Sequence, residues 1–359
     1  MSADAPSVLL VNLSKSWGGG EKWFFTCSKE LIEERWNVRL ITYKNSQLSQ
    51  RLKESNIPHD EIKLASWSML NPFKLTKVRN LISAFNPSYL LLNSSVELKV
   101  VGLAGKWASV PHILLRRGLS FPFKNNFVNH WYISRILTGF MANSYDVWKP
   151  FVERFPQTKA LEHTIIPNGV DTRFYQPELQ QKHHIGIVAR LSPEKGIDMA
   201  LRAFAIVRAN FPEAHLHIWG IGDEGIRLIE LSQELGVEEE VTFHGFHHEV
   251  TPLLARCGIF VLPSNKGEGT SNALIEAMSV GIPAVAFDVP SMRETIIHEE
   301  TGLIVDSYEA KSLANALKKL MNDENLRQNL GKGARKRAVE VYAQQHATVK
   351  LMNWLQGLT

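Results

Sequence analysis

The run Gly258-Ile-Phe-Val-Leu-Pro263 is almost wholly apolar and lacks the in-out alternation of a strand with one wet face. A strand of that kind is buried on both sides, as in a parallel sheet covered by helices above and below. It is followed by Glu268-Gly-Thr-Ser-Asn-Ala-Leu-Ile-Glu276, which reads as a Gly-containing turn and a helix opening near Ser271. Strand, glycine turn and helix form the repeating unit of an open α/β sheet, and ligands collect at its carboxyl edge.

The same unit recurs along the chain. In the first half, strands are expected at Val8–Leu13, Val38–Thr42, Tyr89–Leu92, Pro111–Leu115 and Gly139–Asn143, and helices at Glu21–Leu31, Pro72–Phe85 and Val96–Ala108, with Ser144 capping another. Gly18-Gly-Gly20 sits between the first strand and its helix without the spacing of a dinucleotide fingerprint. The polar, aperiodic stretch from Pro177 to His183 reads as a linker. A second alternation runs from Ile185 to Val305, and helices Ala310–Asn322, Glu324–Val341 and Ala343–Gln356 close the chain. Such alternation implies an α/β protein with doubly wound parallel sheets.

A length of 359 residues suits two domains rather than one core. The expected boundaries are 1–175, 176–341 and a final helical segment, 342–359. Met1-Ser-Ala-Asp-Ala-Pro6 lacks the basic start of a signal peptide, so a cytoplasmic protein is expected. Cys27 and Cys257 have apolar neighbours and read as buried thiols. The net charge of +4 is uneven: residues 1–175 hold 22 Lys and Arg against 13 Asp and Glu, leaving 18 against 23 for the rest. A +9 half beside a −5 half suggests an anionic partner for the first.

A helix start offers unpaired N–H groups and a partial positive charge, which suit a phosphate or diphosphate. Glu268 and Glu276, either side of the turn, would repel such a group, but a carboxylate accepts well from paired hydroxyls such as those of a sugar or ribose. The stretch is therefore built for a sugar nucleotide. Arg190 and Lys195, in Val188-Ala-Arg-Leu-Ser-Pro-Glu-Lys-Gly196, can neutralise a departing diphosphate as fixed cations, in place of a metal.

The two Glu eight positions apart, Ala277-Met278 and Gly281-Ile-Pro283 together resemble the donor signature of GT-B glycosyltransferases, specifically retaining family four. The resemblance spans nearly the whole chain and is strongest from Pro167 to Val305. It implies two Rossmann-like domains facing across a cleft, the first choosing the acceptor and the second holding the donor, with the last helix crossing back. Arg190 and Lys195 match the pair that binds the donor diphosphate, Gly222 lies in the Gly-x-Gly-Asp turn near the donor, and Phe246 ends the segment that holds the base. Glu268 would face the donor sugar, Glu276 the ribose, and Ser271, Asn272, Ala273 and Leu274 the phosphates. Gly18, Gly19 and Gly20 are placed beside the donor as well.

One departure stands out. Many members of the family place a His after the strand matched here by His112–Leu115, where this chain has Arg116-Arg117-Gly118. Arg is too basic to act as a general base, so Arg116 and Arg117 are expected to bind an anionic acceptor or the diphosphate, and His112 to be structural. His183-His184 and His247-His248 read as solvent-facing pairs, and no metal site or nucleic-acid module is expected. The expected partners are a nucleotide sugar and a glycan or glycolipid acceptor, of lipid-linked, lipopolysaccharide or polysaccharide type.

Lys124 and Arg135, together with Arg116 and Arg117, interleave with Phe121, Phe123, Phe127, Trp131 and Tyr132. That pattern suits reversible attachment to an anionic membrane surface. Three other readings stay open: a nucleotide-sugar 2-epimerase on the same fold, a catalytically silent partner in polysaccharide assembly and, more distantly, a Rossmann oxidoreductase.

Overall fold

The computed structural model describes residues 5–118, 123–176, 179–266 and 269–358, and these divide into two compact units. The first comprises residues 1–168 and 345–359, the second Gly169–Gln344. The unit boundary thus falls seven residues before the 175/176 division read from the sequence.

The first unit is built on seven parallel strands: β1 (Ser7–Asn12), β2 (Asn37–Tyr43), β3 (His59–Ile62), β4 (Tyr89–Leu92), β5 (His112–Arg117), β6 (Gly139–Ala142) and β7 (Glu162–Ile165). Their order is β3-β2-β1-β4-β5-β6-β7, so the winding reverses between β1 and β4. Successive side chains of β1 feed opposite layers. Leu9 and Val11 join Leu90, Leu92 and Phe140 on one face; Val8 and Leu10 join Trp23, Phe24 and Leu31 on the other. The last helix, Gln344–Gly357, adds Leu351 and Leu355 to that second layer. Burying each leucine contributes about 1.5–3 kcal/mol.

The second unit holds six parallel strands: β8 (Gln181–Val188), β9 (His215–Trp219), β10 (Val241–Gly245), β11 (Cys257–Leu262), β12 (Ala284–Phe287) and β13 (Gly302–Val305). Their order is β10-β9-β8-β11-β12-β13, and the winding reverses between β8 and β11. All six residues of β11 are buried, as its unbroken apolar run requires. Ile259 and Val261 pack under helices Ile197–Arg208 and Ala310–Asn322, while Phe260 and Leu262 pack against helix Asn272–Ser279.

The structure differs from the expected elements where apolar periodicity is weak. β3 (His-Asp-Glu-Ile) and β7 (Glu-His-Thr-Ile) are edge strands, half in water, so neither shows an apolar run. Part of the expected linker is strand: β8 already pairs with β11 at Gln181 and Cys257, while Pro177 and Glu178 lie outside the described residues. Helices Gln47–Glu54, Phe127–Ile136 and Pro290–Thr295 were not expected.

Candidate functional site

In the second unit, the turns that leave β8, β9 and β11 are knitted together at the carboxyl edge, beside the reversal of winding. The Leu191 N–H donates to the Ile221 carbonyl at 3.0 Å and the Glu224 N–H to the Leu191 carbonyl at 3.1 Å. Gly222 is required there by contact: a Cβ would sit 2.2 Å from the Leu191 carbonyl oxygen. The room that this glycine leaves is occupied by the chain's own backbone.

Arg190 and Lys195 flank a short 3-10 turn, Pro193–Lys195. Glu194 accepts from Arg190 Nη2 at 2.6 Å and from Ser192 Oγ at 2.8 Å. Burial pushes the Glu194 carboxyl up, but hydrogen bonds from Ser192, its own N–H and Arg190 outweigh that and hold it at about 2. The Arg190 side chain is aimed by this pair yet stays 64% exposed, and Lys195 is half-buried. Gly196 ends the turn at φ +63°, where a Cβ would lie 2.1 Å from the Pro263 carbonyl oxygen and 2.6 Å from Tyr308 Oη. The Asn265 N–H donates to the Glu194 carbonyl at 3.1 Å, tying the turn to the segment that runs from β11 into the next helix.

That helix is Asn272–Ser279, and the Ser271 side chain does not cap it. Ser271 is buried, Asn272 and Ala273 are half-buried, and Leu274 is core. Glu276 lies one turn beyond Asn272 and is only 5% exposed, too deep for a surface carboxylate. Glu268, expected to face the sugar, lies outside the described residues. Phe246, just past β10, is 39% exposed and packs edge-on against His248 at 4.7 Å.

Sequence reasoning missed a pocket of about 470 Å³ at the ends of β11, β12 and β13, lined among others by Asn265, Lys266, Asp288 and Tyr308. Their signal is position: each lies within four residues of the end of a parallel strand.

The corresponding edge of the first unit carries the turns after β1 and β4. Its first helix opens at Gly19 with Gly18 as the N-cap, two residues earlier than expected. Gly18 is extended, and Gly19 and Gly20 are already helical, so none of the three has the left-handed backbone of a tight glycine turn. Glu97, 1% exposed, accepts from the N–H groups of Leu13, Asn93 and Ser94 and so joins the turns after β1 and β4; burial pushes its carboxyl up to about 7.

Arg116 departs most from expectation. It is 1% exposed, its guanidinium lies 4.1 Å from the centre of the Trp23 ring, and its Nη2 donates to Asn168 Oδ1 at 2.8 Å. An arginine held in this way is part of the core, unlike a cation waiting for an acceptor. Arg117 is half-buried over Phe123, and burial lowers both guanidinium groups to about 10. His112 opens β5 stacked on Tyr89 at 5.4 Å.

The aromatic and basic stretch also divides: Phe123 and Tyr132 are core, whereas Phe127, Val128 and Trp131 face outward on helix Phe127–Ile136 beside exposed Lys124 and Arg135. Phe121 lies outside the described residues. Both cysteines are buried free thiols, each pushed up to about 12 mainly by burial. Among the described residues no group of three or more His, Cys, Asp or Glu could hold a metal ion, and no helix is long and apolar enough to cross a membrane.

Two wound parallel sheets, with the second bearing a cationic turn and a helix start at its reversal point, define the class: the fold is GT-B. A structure of Anabaena HepE in complex with UDP superposes with a TM-score of 0.84 at 19% identity, covering 98% of this chain and 100% of that one. Residues 171–337 match the family model "Glycosyl transferases group 1", and the second unit belongs to that family.

Among curated relatives, an exopolysaccharide phosphotransferase of Streptomyces coelicolor is 37% identical over 170 residues, which are 47% of this chain and 18% of that protein. A GDP-mannose-dependent alpha-(1-6)-phosphatidylinositol monomannoside mannosyltransferase of Mycobacterium tuberculosis is 28% identical over 227 residues, 58% of each chain. The chain thus spans less than two thirds of the length of these relatives.

Proposed function

We propose that the protein transfers a hexose or N-acetylhexosamine from a nucleoside diphosphate sugar to an acceptor hydroxyl, with retention and an α-linkage in the product. One juxtaposition carries the reading: the Arg190–Lys195 turn is hydrogen-bonded to the segment leading into helix Asn272–Ser279, within which Glu276 is buried. The UDP named for the Anabaena neighbour and the GDP-mannose named for the mycobacterial relative support a nucleotide sugar as donor.

The diphosphate accepts from the N–H groups of Ser271, Asn272, Ala273 and Leu274 and from Arg190 and Lys195. Glu276 accepts from the ribose hydroxyls, Glu268 from the sugar, and the Gly222 and Phe246 turns border the base end. As the bond from the anomeric carbon to the diphosphate oxygen breaks, the acceptor oxygen bonds to that carbon on the same face. The departing phosphate oxygen takes the hydroxyl proton, so neither a protein base nor a divalent metal is required. The second unit is then the donor domain and the first the acceptor domain, to which the final helix belongs.

The acceptor is a lipid-linked, lipopolysaccharide or polysaccharide glycan, presented at the cytoplasmic face of a membrane. The outward Phe127, Val128 and Trp131 with Lys124 and Arg135 support that peripheral attachment. Arg116 has no part in acceptor binding in this reading.

Calorimetric titration with UDP- and GDP-sugars, followed by product analysis with and without acceptor, tests it. Binding and acceptor-dependent transfer are expected. Turnover without acceptor would make the protein a nucleotide-sugar 2-epimerase, and absence of binding would leave a silent module in polysaccharide assembly.

A further inference from the structure

On the outer half of the second sheet, His184 of β8, His217 of β9 and His244 of β10 stand side by side. The ring centroids of His184 and His217 are 5.0 Å apart with planes 21° off parallel, and those of His217 and His244 are 5.3 Å apart at 27°. His184 Nδ1 lies 2.8 Å from His217 Nε2, and His217 Nδ1 lies 3.0 Å from His244 Nε2. The three rings are therefore a hydrogen-bonded ladder across three strands, all half-buried, where the sequence suggested a solvent-facing His184.

The ladder ends at the candidate site. The His244 ring lies on Trp219 at 4.8 Å and 9°, and the next residue, Gly245, accepts through its carbonyl from the Gly220 N–H at 2.8 Å. Phe246 follows.

Each N···N bond needs one proton. Three neutral rings supply three N–H groups: two fill the bonds and the third occupies an outer nitrogen, His184 Nε2 or His244 Nδ1. One extra proton fits on the other outer nitrogen with both bonds intact. A second extra proton must set two N–H groups face to face, and a bond is lost.

We propose that the ladder is a positioning device for the Gly245-Phe246 turn, holding it ready for a nucleobase while the three rings share at most one extra proton and releasing it when a second arrives. This rests on the reading above that the turn borders the base. The titratable groups that act on the rings are other histidines, and each lowers the ring it faces: His183 and His215 on His184, His215 on His217, and His247 on His244. Cys257 of β11 lies beside Gly186, and His183 is itself held by Glu213, its Nδ1 2.7 Å from Glu213 Oε1, a pairing that favours its protonation and that Lys182 and Arg327 oppose. Burial first, then the neighbouring histidines, lowers all three rings, His217 to about 4.

An unfolded histidine titrates near 6.5, so the unfolded chain takes up protons before the folded one does. Stability is full above that value and falls as the pH drops toward 4.

The test uses the full chain. Wild type and His217→Gln are unfolded in urea between pH 7.5 and 4.0, their affinities for UDP and for GDP are measured across the same range, and ring ¹⁵N spectra are recorded on the wild type alone. The wild-type midpoint should fall with acid, and its nucleotide Kd should rise at the acid end of the range, where the second proton arrives. In His217→Gln both profiles should be flatter; His184→Gln serves if that variant does not fold. Identical pH profiles in wild type and variant, or ring nitrogens that share no protons at pH 7.5, would overturn the ladder. A shift in stability with unchanged nucleotide affinity would overturn its positioning role. If neither nucleotide binds even at pH 7.5, the nucleotide-sugar reading fails and positioning with it, while the urea profiles still judge the ladder.

Discussion

The two units share one topology and place a basic pair beyond or at the end of a parallel strand, yet the pairs lead opposite lives. Arg190 reaches solvent from a turn and is aimed by Glu194, whereas Arg116 is sealed against Trp23 and Asn168. Arg190 leaves its strand for a turn that is exposed at the carboxyl edge; Arg116 is still within β5, where every second side chain must enter a core layer. The same charge is thus offered to solvent in one unit and packed away in the other. Position relative to the strand end decides which.

That contrast can be broken most sharply at Lys195. Replacing it with Ala removes a fixed cation from the departing diphosphate, and kcat should fall by about 10²–10³ while the urea midpoint stays put. Activity should persist in excess EDTA; if chelation abolishes turnover and magnesium restores it, the cation pair does not do the neutralising.

The mirror experiment is Arg116→Ala. It leaves a void beside Trp23 and takes one hydrogen-bond donor from Asn168, so stability should fall by about 2–4 kcal/mol, against about 0.5 kcal/mol or less for Arg190→Ala. Equal effects in denaturant would erase the distinction.

Glu276→Ala sharpens the donor side. The ribose hydroxyls lose a charged acceptor, and nucleotide sugars should bind more weakly by about 1.5–3 kcal/mol in calorimetry. Unchanged affinity in a folded variant removes Glu276 from the site.

The units should also respond to acid with opposite sign. Glu97 is raised to about 7, so its contribution to the first unit is fully present below the ordinary carboxylate range and is lost as the pH rises through 7. The lowered histidines of the second unit act the other way. Comparing urea profiles of wild type and Glu97→Gln between pH 5 and 8 isolates the first term; superimposable profiles would refute it.

The smallest effect concerns the outward helix of the first unit. Sedimentation with anionic liposomes should fall with salt and weaken in Trp131→Ser, whereas each basic residue near such a surface contributes only about 1 kcal/mol. Indifference to lipid charge would make Phe127 and Trp131 ordinary exposed aromatics.

Much of this was legible in the chain as written. Strands Tyr89–Leu92, His215–Trp219 and Gly302–Val305 and helices Pro72–Phe85, Ala310–Asn322 and Glu324–Val341 occur where apolar periodicity, Pro and Asn place them. The reason is local: burial on both faces leaves a continuous apolar run, and caps mark helix starts, as Ser144 does by accepting from the Val147 N–H. The helix start near Ser271, which has no capping side chain, and the turn after β8 were readable from the apolar strands that precede them.

Tertiary structure alone decided what depends on neighbours distant in sequence. Whether Arg116 faces water or Trp23, whether Gly222 makes room for a ligand or for the Leu191 carbonyl, and whether His184 meets solvent or His217 are set by strand order and register, which bring together residues 33 positions apart in the last case. A residue's type states what it can bond to. Which partner it receives depends on the packing of elements that only the folded sheet brings side by side.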